Sequence, residues 1–273
     1  MSDPIARNHV RILGRGRQPM LFAHGFGCDQ TMWRFVAPAF QDRFNVVLFD
    51  YVGSGRSDAA AYRADRYSSL DGYASDVLEI IERADLREVV FVGHSVSSMI
   101  GVLAAARAPE RFSQLILVVP SACYINDPPD YVGGFSREDV DGLLDLMEKN
   151  YLGWASFLAP LVIKNDDKPE LQQELTESFC AADPGIAKGF AKVTFLSDNR
   201  TDLARVATPS YILQCTDDAV APPSAIDYVR RHLRGSVLCS LQATGHCPHM
   251  THPEETIEAM NAYLASVGLP HGD

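Results

Sequence analysis

Short, continuously apolar runs alternate with amphipathic segments through the first 120 residues. The apolar runs predict strands at Val10–Leu13, Pro19–Ala23, Asn45–Phe49, Val89–Val92 and Leu115–Val119. The segments between them predict helices at Asp29–Phe40, Ser69–Ala84 and Ser97–Ala106. Strands that are apolar throughout and separated by helices indicate a mostly parallel sheet with helices on both faces. We therefore expect an α/β fold.

The strand–helix alternation stops near residue 125 and resumes near residue 200. The later part predicts strands at Ser210–Gln214 and Ser236–Leu241, and helices at Pro223–His232 and Pro253–Ala265. The interruption predicts four helices, Arg137–Asn150, Gly153–Ile163, Pro169–Ala181 and Pro184–Leu196. We expect a core of residues 1–125 and 200–273, and a helical lid of residues 126–199 over the C-terminal edge of the sheet.

The segment Gly93–Ser97 (GHSVS) lies between a predicted strand and a predicted helix. A nucleophile elbow requires this context, because a sharp strand-to-helix turn exposes the serine hydroxyl. Glycine usually stands two positions after the nucleophile, and Ser97 is small enough to replace it. Ser95 is thus the predicted nucleophile, and an ordinary Gly-Ser turn is the alternative.

A general base is expected on the loop after the last predicted strand. His246 lies there and would take the proton from Ser95 and pass it to the leaving group. His249 and His252 follow within six residues, each beside a proline that leads into the last helix. We expect both of these to be structural or exposed to solvent.

Two carboxylates compete for the role of the acid that orients the base. Asp217 and Asp218 both follow the strand Ser210–Gln214, so the chain order is serine, acid, histidine, as in the α/β-hydrolase fold. Asp218 stands four residues before Pro222, the usual spacing of this loop in that fold, and is the preferred candidate. Asp217 is then expected to bind backbone groups of its loop.

An acyl-transfer site also needs backbone N–H donors for the developing oxyanion. Val96, the residue after the proposed nucleophile, supplies one candidate. Phe26, in the turn His24–Gly27 after an early strand, supplies the other. Large apolar residues of the lid should close the pocket, and the predicted wall is Phe26, Trp154, Phe157, Phe190 and Phe195. The ligand expected in such a pocket is small and hydrophobic and has an electrophilic carbonyl.

Composition excludes several other classes of protein. The formal net charge of -11 disfavours nucleic acid and anionic membrane surfaces as partners. No apolar run approaches the roughly 18 residues of a membrane span, and no secretory signal precedes the first strand, so we expect a cytoplasmic protein. The six cysteines include no CxxC pair and are expected to be free, buried thiols.

The sequence contains no recognisable motif for a cofactor or a metal ion. The segment Gly53–Gly55 lacks the lysine and the spacing of a phosphate-binding loop. No carboxylate–histidine set has the i, i+4 spacing of a helical zinc site. The prediction is a site without cofactor or metal.

Four strings carry a more specific resemblance: His24–Gln30 (HGFGCDQ), Phe49–Gly55 (FDYVGSG), Gly93–Ser97 and Gly245–His249 (GHCPH). They closely resemble the RsbQ family of bacterial stress regulators, as do NDPPDY and MEKNYLGW in the lid. The plant strigolactone and karrikin receptors are similar in the same strings. The resemblance spans nearly the whole chain.

The resemblance implies that Ser95, Asp218 and His246 form a catalytic triad. RsbQ proteins act with a PAS-domain serine/threonine phosphatase in general stress signalling, and their plant relatives hydrolyse a butenolide slowly. We therefore expect a serine hydrolase for a small hydrophobic ester or lactone with a regulatory role. The alternatives are a ligand-binding receptor with slow or incidental hydrolysis and a metabolic carboxylesterase without a signalling partner.

Overall fold

The computed structural model describes residues 3–272, and a single mixed sheet of seven strands runs through them. The strands are β1 (Arg11–Leu13), β2 (Gln18–Ala23), β3 (Phe44–Leu48), β4 (Val89–His94), β5 (Phe112–Val118), β6 (Ser210–Asp217) and β7 (Val237–Thr244). Their order across the sheet is β1-β3-β2-β4-β5-β6-β7. Among the strands of the described residues, only β1 pairs antiparallel, with β3, and all other neighbours are parallel.

Ten α-helices accompany the sheet within residues 3–272. They are α1 (Pro4–Arg7), α2 (Leu70–Arg83), α3 (Val96–Arg107), α4 (Arg137–Lys149), α5 (Tyr151–Ile163), α6 (Pro169–Ala181), α7 (Pro184–Leu196), α8 (Pro223–His232), α9 (Pro248–Thr251) and α10 (Pro253–Ser266). None of these helices has the length and apolar character that crossing a membrane requires.

Two hydrophobic cores lie on opposite faces of the sheet. On β2, Met20 and Phe22 belong to one core, and Leu21 and Ala23 belong to the other, as the two-residue period of a strand requires. All six residues of β4 are buried, because both faces are covered. The predicted α/β architecture, a mostly parallel sheet flanked by helices, is confirmed.

The predicted helix Asp29–Phe40 is wrong as a single element. The structure has two short 3₁₀ helices there, Gln30–Trp33 and Ala37–Phe40. Pro38 lies at the start of the second one. A proline lacks the N–H that a continuous α-helix would need at this position, and it disfavours α geometry in the residue before it.

The last two strands are longer than the pattern predicts. β6 and β7 stay paired as far as Asp217 and Thr244, each three residues beyond the predicted end. The residues that follow these ends, Asp218 and the Gly245–His246 pair, are therefore placed at neighbouring points of one sheet edge.

The segment between β5 and β6 contains the helices α4 to α7. Ser136 and Asp139 form a capping box at the start of α4, while Asn150 and Asp183 cap α5 and α7. Most buried apolar side chains of these four helices join the core on one face of the sheet, whereas Phe190 of α7 belongs to the core on the other face. The predicted core ranges 1–125 and 200–273 include residues 1, 2 and 273, which lie outside the described residues.

Candidate active site

Ser95 occupies a strained turn between β4 and α3. Its φ of +57° lies in the left-handed region, which costs free energy for any residue except glycine. The N–H of Ser95 donates to the carbonyl of Val118 at 2.9 Å, which holds the turn against β5. Gly93 is required beside it, because a Cβ there would lie 2.6 Å from the carbonyl oxygen of Ser97.

A continuous chain of hydrogen bonds joins Ser95, His246 and Asp218. Nε2 of His246 lies 2.7 Å from Oγ of Ser95, and Nδ1 of His246 lies 2.7 Å from Oδ2 of Asp218. All three residues are buried. The structure thus brings together the three side chains that the sequence predicts as nucleophile, base and acid.

The second oxygen of the Asp218 carboxylate is also bonded. Oδ1 accepts from the N–H groups of Val220 at 2.7 Å and Ala221 at 3.1 Å. Burial raises the pKa of Asp218, but the attraction of His246 and these hydrogen bonds outweigh burial and leave the pKa below its ordinary value. An ionised carboxylate only accepts, so Nδ1 of His246 carries the proton and Nε2 accepts from the Ser95 hydroxyl.

The backbone of His246 is held from two sides. Its N–H donates to the carbonyl of Val162 at the end of α5 (2.7 Å), and its carbonyl accepts from Nε2 of His94 (2.7 Å). Gly245 has a φ of +82°, and a Cβ there would lie 2.2 Å from the carbonyl oxygen of Ile163. The histidine loop therefore needs glycine where the helical segment approaches it.

The two predicted oxyanion donors lie on adjacent turns. Val96 is the first residue of α3, so its N–H has no acceptor inside the helix. Phe26 lies in the turn after β2, and the hydroxyl of Ser97 donates to the carbonyl of His24 in that turn. Ser97 Oγ also lies 2.9 Å from the hydroxyl of Tyr51. Ser97, which replaces the usual glycine, thus connects the two turns through its hydroxyl. The prediction from the sequence considered only the small size of this residue.

A cavity of about 40 Å³ lies beside Ser95 and His246. Its lining is largely apolar and comes from the core loops and the helical segment: Phe26, Cys28, His94, Tyr124, Phe135, Leu143, Leu158, Val162, Leu175, Phe179, Thr194, Phe195, Val220 and Cys247. Tyr124 brings a hydroxyl to 3.4 Å from Ser95 Oγ, and burial raises the pKa of Tyr124 above its ordinary value. A neutral phenol can both donate and accept here.

Of the five predicted wall residues, Phe26 and Phe195 line this cavity. Trp154 packs behind Phe26 at 5.9 Å between ring centroids, and Phe190 stacks on Tyr73 at 4.3 Å and lies 5.7 Å from Phe26. These two support the wall without facing the cavity.

The prediction for Phe157 is wrong, because its side chain is 56% exposed. Helix α5 has no charged residue, so its hydrophobic pattern does not distinguish the buried face from the exposed one. Tyr124 and Phe179 line the cavity but were missed as pocket residues, since only the tertiary fold brings them to Ser95.

Of the two candidate acids, Asp217 is the last residue of β6 and Asp218 follows the strand. Asp217 is exposed, and its carboxylate lies 2.6 Å from Nζ of Lys164. The expected side-chain bonds to the loop backbone are therefore wrong. Its carbonyl accepts from the N–H of Gly245 instead.

The two histidines that follow His246 and the six cysteines differ in their burial. His249 is completely buried, while His252 is partly buried and bonds the hydroxyl of Thr251. All six thiols are free, as predicted. The prediction that all six thiols are buried is wrong for two of them, because Cys180 is exposed and Cys239 is only partly buried.

The chain also matches a known protein family. Residues 20–259 match the model of the alpha/beta hydrolase family. This chain belongs to that family. The hydrolase is 38% identical over 258 residues to a karrikin insensitive 2 receptor from Petunia hybrida, a match that covers 94% of this chain and 95% of the receptor.

Two further relatives extend the likeness. A strigolactone esterase from Arabidopsis thaliana is 35% identical over 257 residues, covering 94% of this chain and 96% of the esterase. The solved structure of a hydrolase from Oleispira antarctica superposes with a TM-score of 0.94 at 46% identity, covering 96% of each chain. The protein is thus a hydrolase of esterase type, related to the karrikin and strigolactone receptors.

Proposed function

We propose that this hydrolase cleaves a small apolar ester or lactone through an acyl-enzyme on Ser95. The observation that carries the proposal is the chain Asp218–His246–Ser95, which ends at the wall of an apolar cavity. A nucleophile, a base and an orienting acid within hydrogen-bond reach of one another are the elements of serine acyl transfer.

In the first half-reaction, Ser95 Oγ attacks the carbonyl carbon while its proton passes to His246 Nε2. Asp218 stabilises the imidazolium that forms. The N–H groups of Phe26 and Val96 donate to the carbonyl oxygen as it becomes negative. Collapse breaks the bond to the leaving oxygen, which takes the proton from His246. From an ester this oxygen departs as an alcohol, and from a lactone it remains as a hydroxyl group on the bound acyl chain.

In the second half-reaction, water takes the place of the alcohol. His246 accepts a proton from this water as the hydroxide oxygen attacks the acyl carbon, and it returns that proton to Ser95 Oγ. An ester then yields an acid and an alcohol, and a lactone yields one hydroxy acid. The hydroxyl of Tyr124 faces the reacting atoms and is placed to bind a substrate oxygen.

The size of the cavity restricts the substrate. Pockets that bind drug-sized ligands have volumes of roughly 300–1,000 Å³, whereas this cavity has a volume of about 40 Å³. The helical segment 126–199 forms much of its wall, so we propose that this segment is a lid that shifts to admit anything larger than a small acyl group or a single lactone ring. The relatives named for strigolactone and karrikin support a butenolide-like ring as one such ligand.

A regulatory role is the finer part of the proposal. The four strings of the sequence resemble RsbQ proteins, which act with a PAS-domain phosphatase, and that resemblance supports a signalling partner of this type. A receptor with slow or incidental hydrolysis is the second candidate, favoured by the 38% identical relative named as a receptor. A metabolic carboxylesterase needs no partner at all.

The test uses p-nitrophenyl acetate with the purified protein and follows nitrophenol release and intact mass together. Ser95→Ala should abolish turnover. Ser98→Ala is the matched control, because Ser98 lies on the same turn but donates to the carbonyl of Gly93. Steady turnover lost only in Ser95→Ala supports the metabolic or regulatory hydrolase, and a single burst with a persistent acyl mass supports the receptor. An unchanged rate in Ser95→Ala would overturn the assignment.

A further inference from the structure

Three donors of the type that binds soft metal ions meet beneath the proposed active site. His94, Cys247 and His249 each offer one ligand atom, and these atoms lie within 4.8 Å of one another. All three residues are buried. They come from the end of β4, the loop after β7 and the short helix α9. Because they lie on different elements, they do not show the i, i+4 spacing of a metal site on one helix.

Within residues 3–272, the ring nitrogens of His249 have no hydrogen-bond partner. Both Nδ1 and Nε2 are buried and unbonded, and the side chain is completely inaccessible. Nδ1 of His94 is unbonded as well, while Nε2 of His94 donates to His246. A buried polar atom without a partner costs about 1–3 kcal/mol, so such a cluster requires an explanation in the form of a bound water or ion.

The distances suit a metal ion. Protein ligands bind at about 2.3 Å for a thiolate and about 2.0 Å for an imidazole, so two such donors of one ion lie at most about 4.3 Å apart. The donor atoms of the cluster lie within 4.8 Å of one another. A linear two-ligand arrangement therefore needs a shift of at most about half an ångström, and a trigonal arrangement, with donors about 3.6 Å apart, needs a shift of up to about 1 Å. Thiolate and imidazole together select soft ions such as Cu⁺ and also bind Zn²⁺.

Charge decides between these two ions. A thiolate neutralises Cu⁺, whereas it leaves one positive charge with Zn²⁺, and an unpaired charge is costly in a buried site. We propose that His94, Cys247 and His249 form a binding site for Cu⁺. Binding replaces the S–H proton of Cys247, which leaves to solvent, and forms one Cu–S bond and up to two Cu–N bonds.

An entry route exists, because His94 and Cys247 line the cavity beside Ser95. The site also contacts the proposed base, since Cys247 follows His246 in the chain and His94 bonds its carbonyl. Occupation by Cu⁺ should therefore displace His246 and inhibit hydrolysis. This inhibition rests on the proposed function, whereas metal binding does not.

Binding is measured with Cu⁺ under argon, by competition with a chromogenic Cu⁺ chelator, and with Ag⁺ as a probe that does not change oxidation state. The protein carries Cys180→Ser throughout, because Cys180 is the exposed thiol. Trp33 reports the event by fluorescence, since its ring lies 4.5 Å from that of His249. We expect one tightly bound equivalent and quenched Trp33 emission.

Cys247→Ala should weaken this binding at least about 100-fold, as loss of the only anionic ligand predicts. Cys215→Ala is the matched control, because Cys215 is equally buried and free and lies outside the cluster, and it should bind as before. His249→Leu gives a second variant, expected to bind about tenfold more weakly. Thermal melts establish that each variant is folded.

Equal affinity in Cys247→Ala and Cys215→Ala would overturn the site and assign the metal to other thiols. X-ray absorption at the copper edge adds a check that needs no turnover. Sulfur and nitrogen neighbours together support the site, and sulfur alone excludes it. A protein that binds Cu⁺ as expected but hydrolyses nothing in its metal-free form would keep the metal site and reject only the proposed function.

Discussion

Nε2 of His94 donates a hydrogen bond to the carbonyl oxygen of His246 at 2.7 Å. The residue before Ser95 thereby fixes the backbone of the proposed base, 152 positions away in the chain. Burial lowers the pKa of His94 to about 3, so its ring is neutral near pH 7 and donates from Nε2. Strand β4 thus positions both the proposed nucleophile and the loop of the base.

Replacing His94 with leucine should lower kcat about 10- to 100-fold with little change in KM, because losing a buried hydrogen bond of about 1–3 kcal/mol frees the His246 loop. His94→Gln keeps an N–H donor and should recover part of the rate. Steady-state kinetics on p-nitrophenyl acetate separate the two parameters. Equal loss in both variants would argue against a positioning role for His94.

The two adjacent aspartates give a matched pair. Asp218→Asn should reduce kcat by about 10⁴, because an amide favours the wrong tautomer of His246. Asp217→Asn should leave kcat within about twofold, since Asp217 forms an exposed ion pair with Lys164, and such pairs contribute little. If Asp217→Asn were the inactive variant, the acid would be misassigned.

Cavity size should set the preference for acyl chain length. Phe195→Leu removes ring atoms from the cavity wall and should raise the rate on butanoate and hexanoate p-nitrophenyl esters relative to acetate. Phe157→Leu is the control on the lid surface, where the side chain is 56% exposed, and it should leave the chain-length profile unchanged. A shift in the Phe157 variant alone would place the substrate elsewhere.

Stability should fall steeply in acid because burial lowers the pKa of three histidines. Burial lowers the pKa of His24, His94 and His249 below the ordinary 6.5. Between pH 6.5 and the folded-state pKa values, the unfolded chain binds protons that the folded chain does not, so the free energy of unfolding falls as pH falls. The lowered pKa of Asp218 adds to the loss at lower pH.

Each such histidine contributes about 1.4 kcal/mol per pH unit in this range. In His249→Leu, the free energy of unfolding should therefore fall less steeply with falling pH, by about that slope. The measurement is the midpoint of urea unfolding at several pH values from 7.5 to 4.5. His271→Gln, at an exposed position near the C-terminus, should leave the pH dependence of the free energy of unfolding unchanged. If the free energy of unfolding of His249→Leu fell with pH as steeply as that of the unsubstituted protein, His249 would have to be protonated in the folded protein.

Local patterns were sufficient to predict the sheet and the order of the proposed triad. Strand runs such as Val89–Val92 are apolar because both faces of the sheet are covered, and that signal needs no tertiary information. The elbow at Ser95 and the histidine loop follow from short motifs beside those strands. The boundaries of β6 and β7 were less predictable, because pairing between the two strands extends each one to its polar end.

Side-chain orientation and long-range contacts were decided only by the tertiary structure. Helix α5 is apolar on every side, so its sequence alone does not show that Trp154 is buried and Phe157 exposed. Ser97 was interpreted by its size, whereas its hydroxyl connects two turns that meet only in the folded chain. The sequence by itself determined the class of fold and the residue types of the site, because these depend on local periodicity and motifs. The cavity and the His94–Cys247–His249 cluster depend on packing between distant segments, which the tertiary fold alone determines.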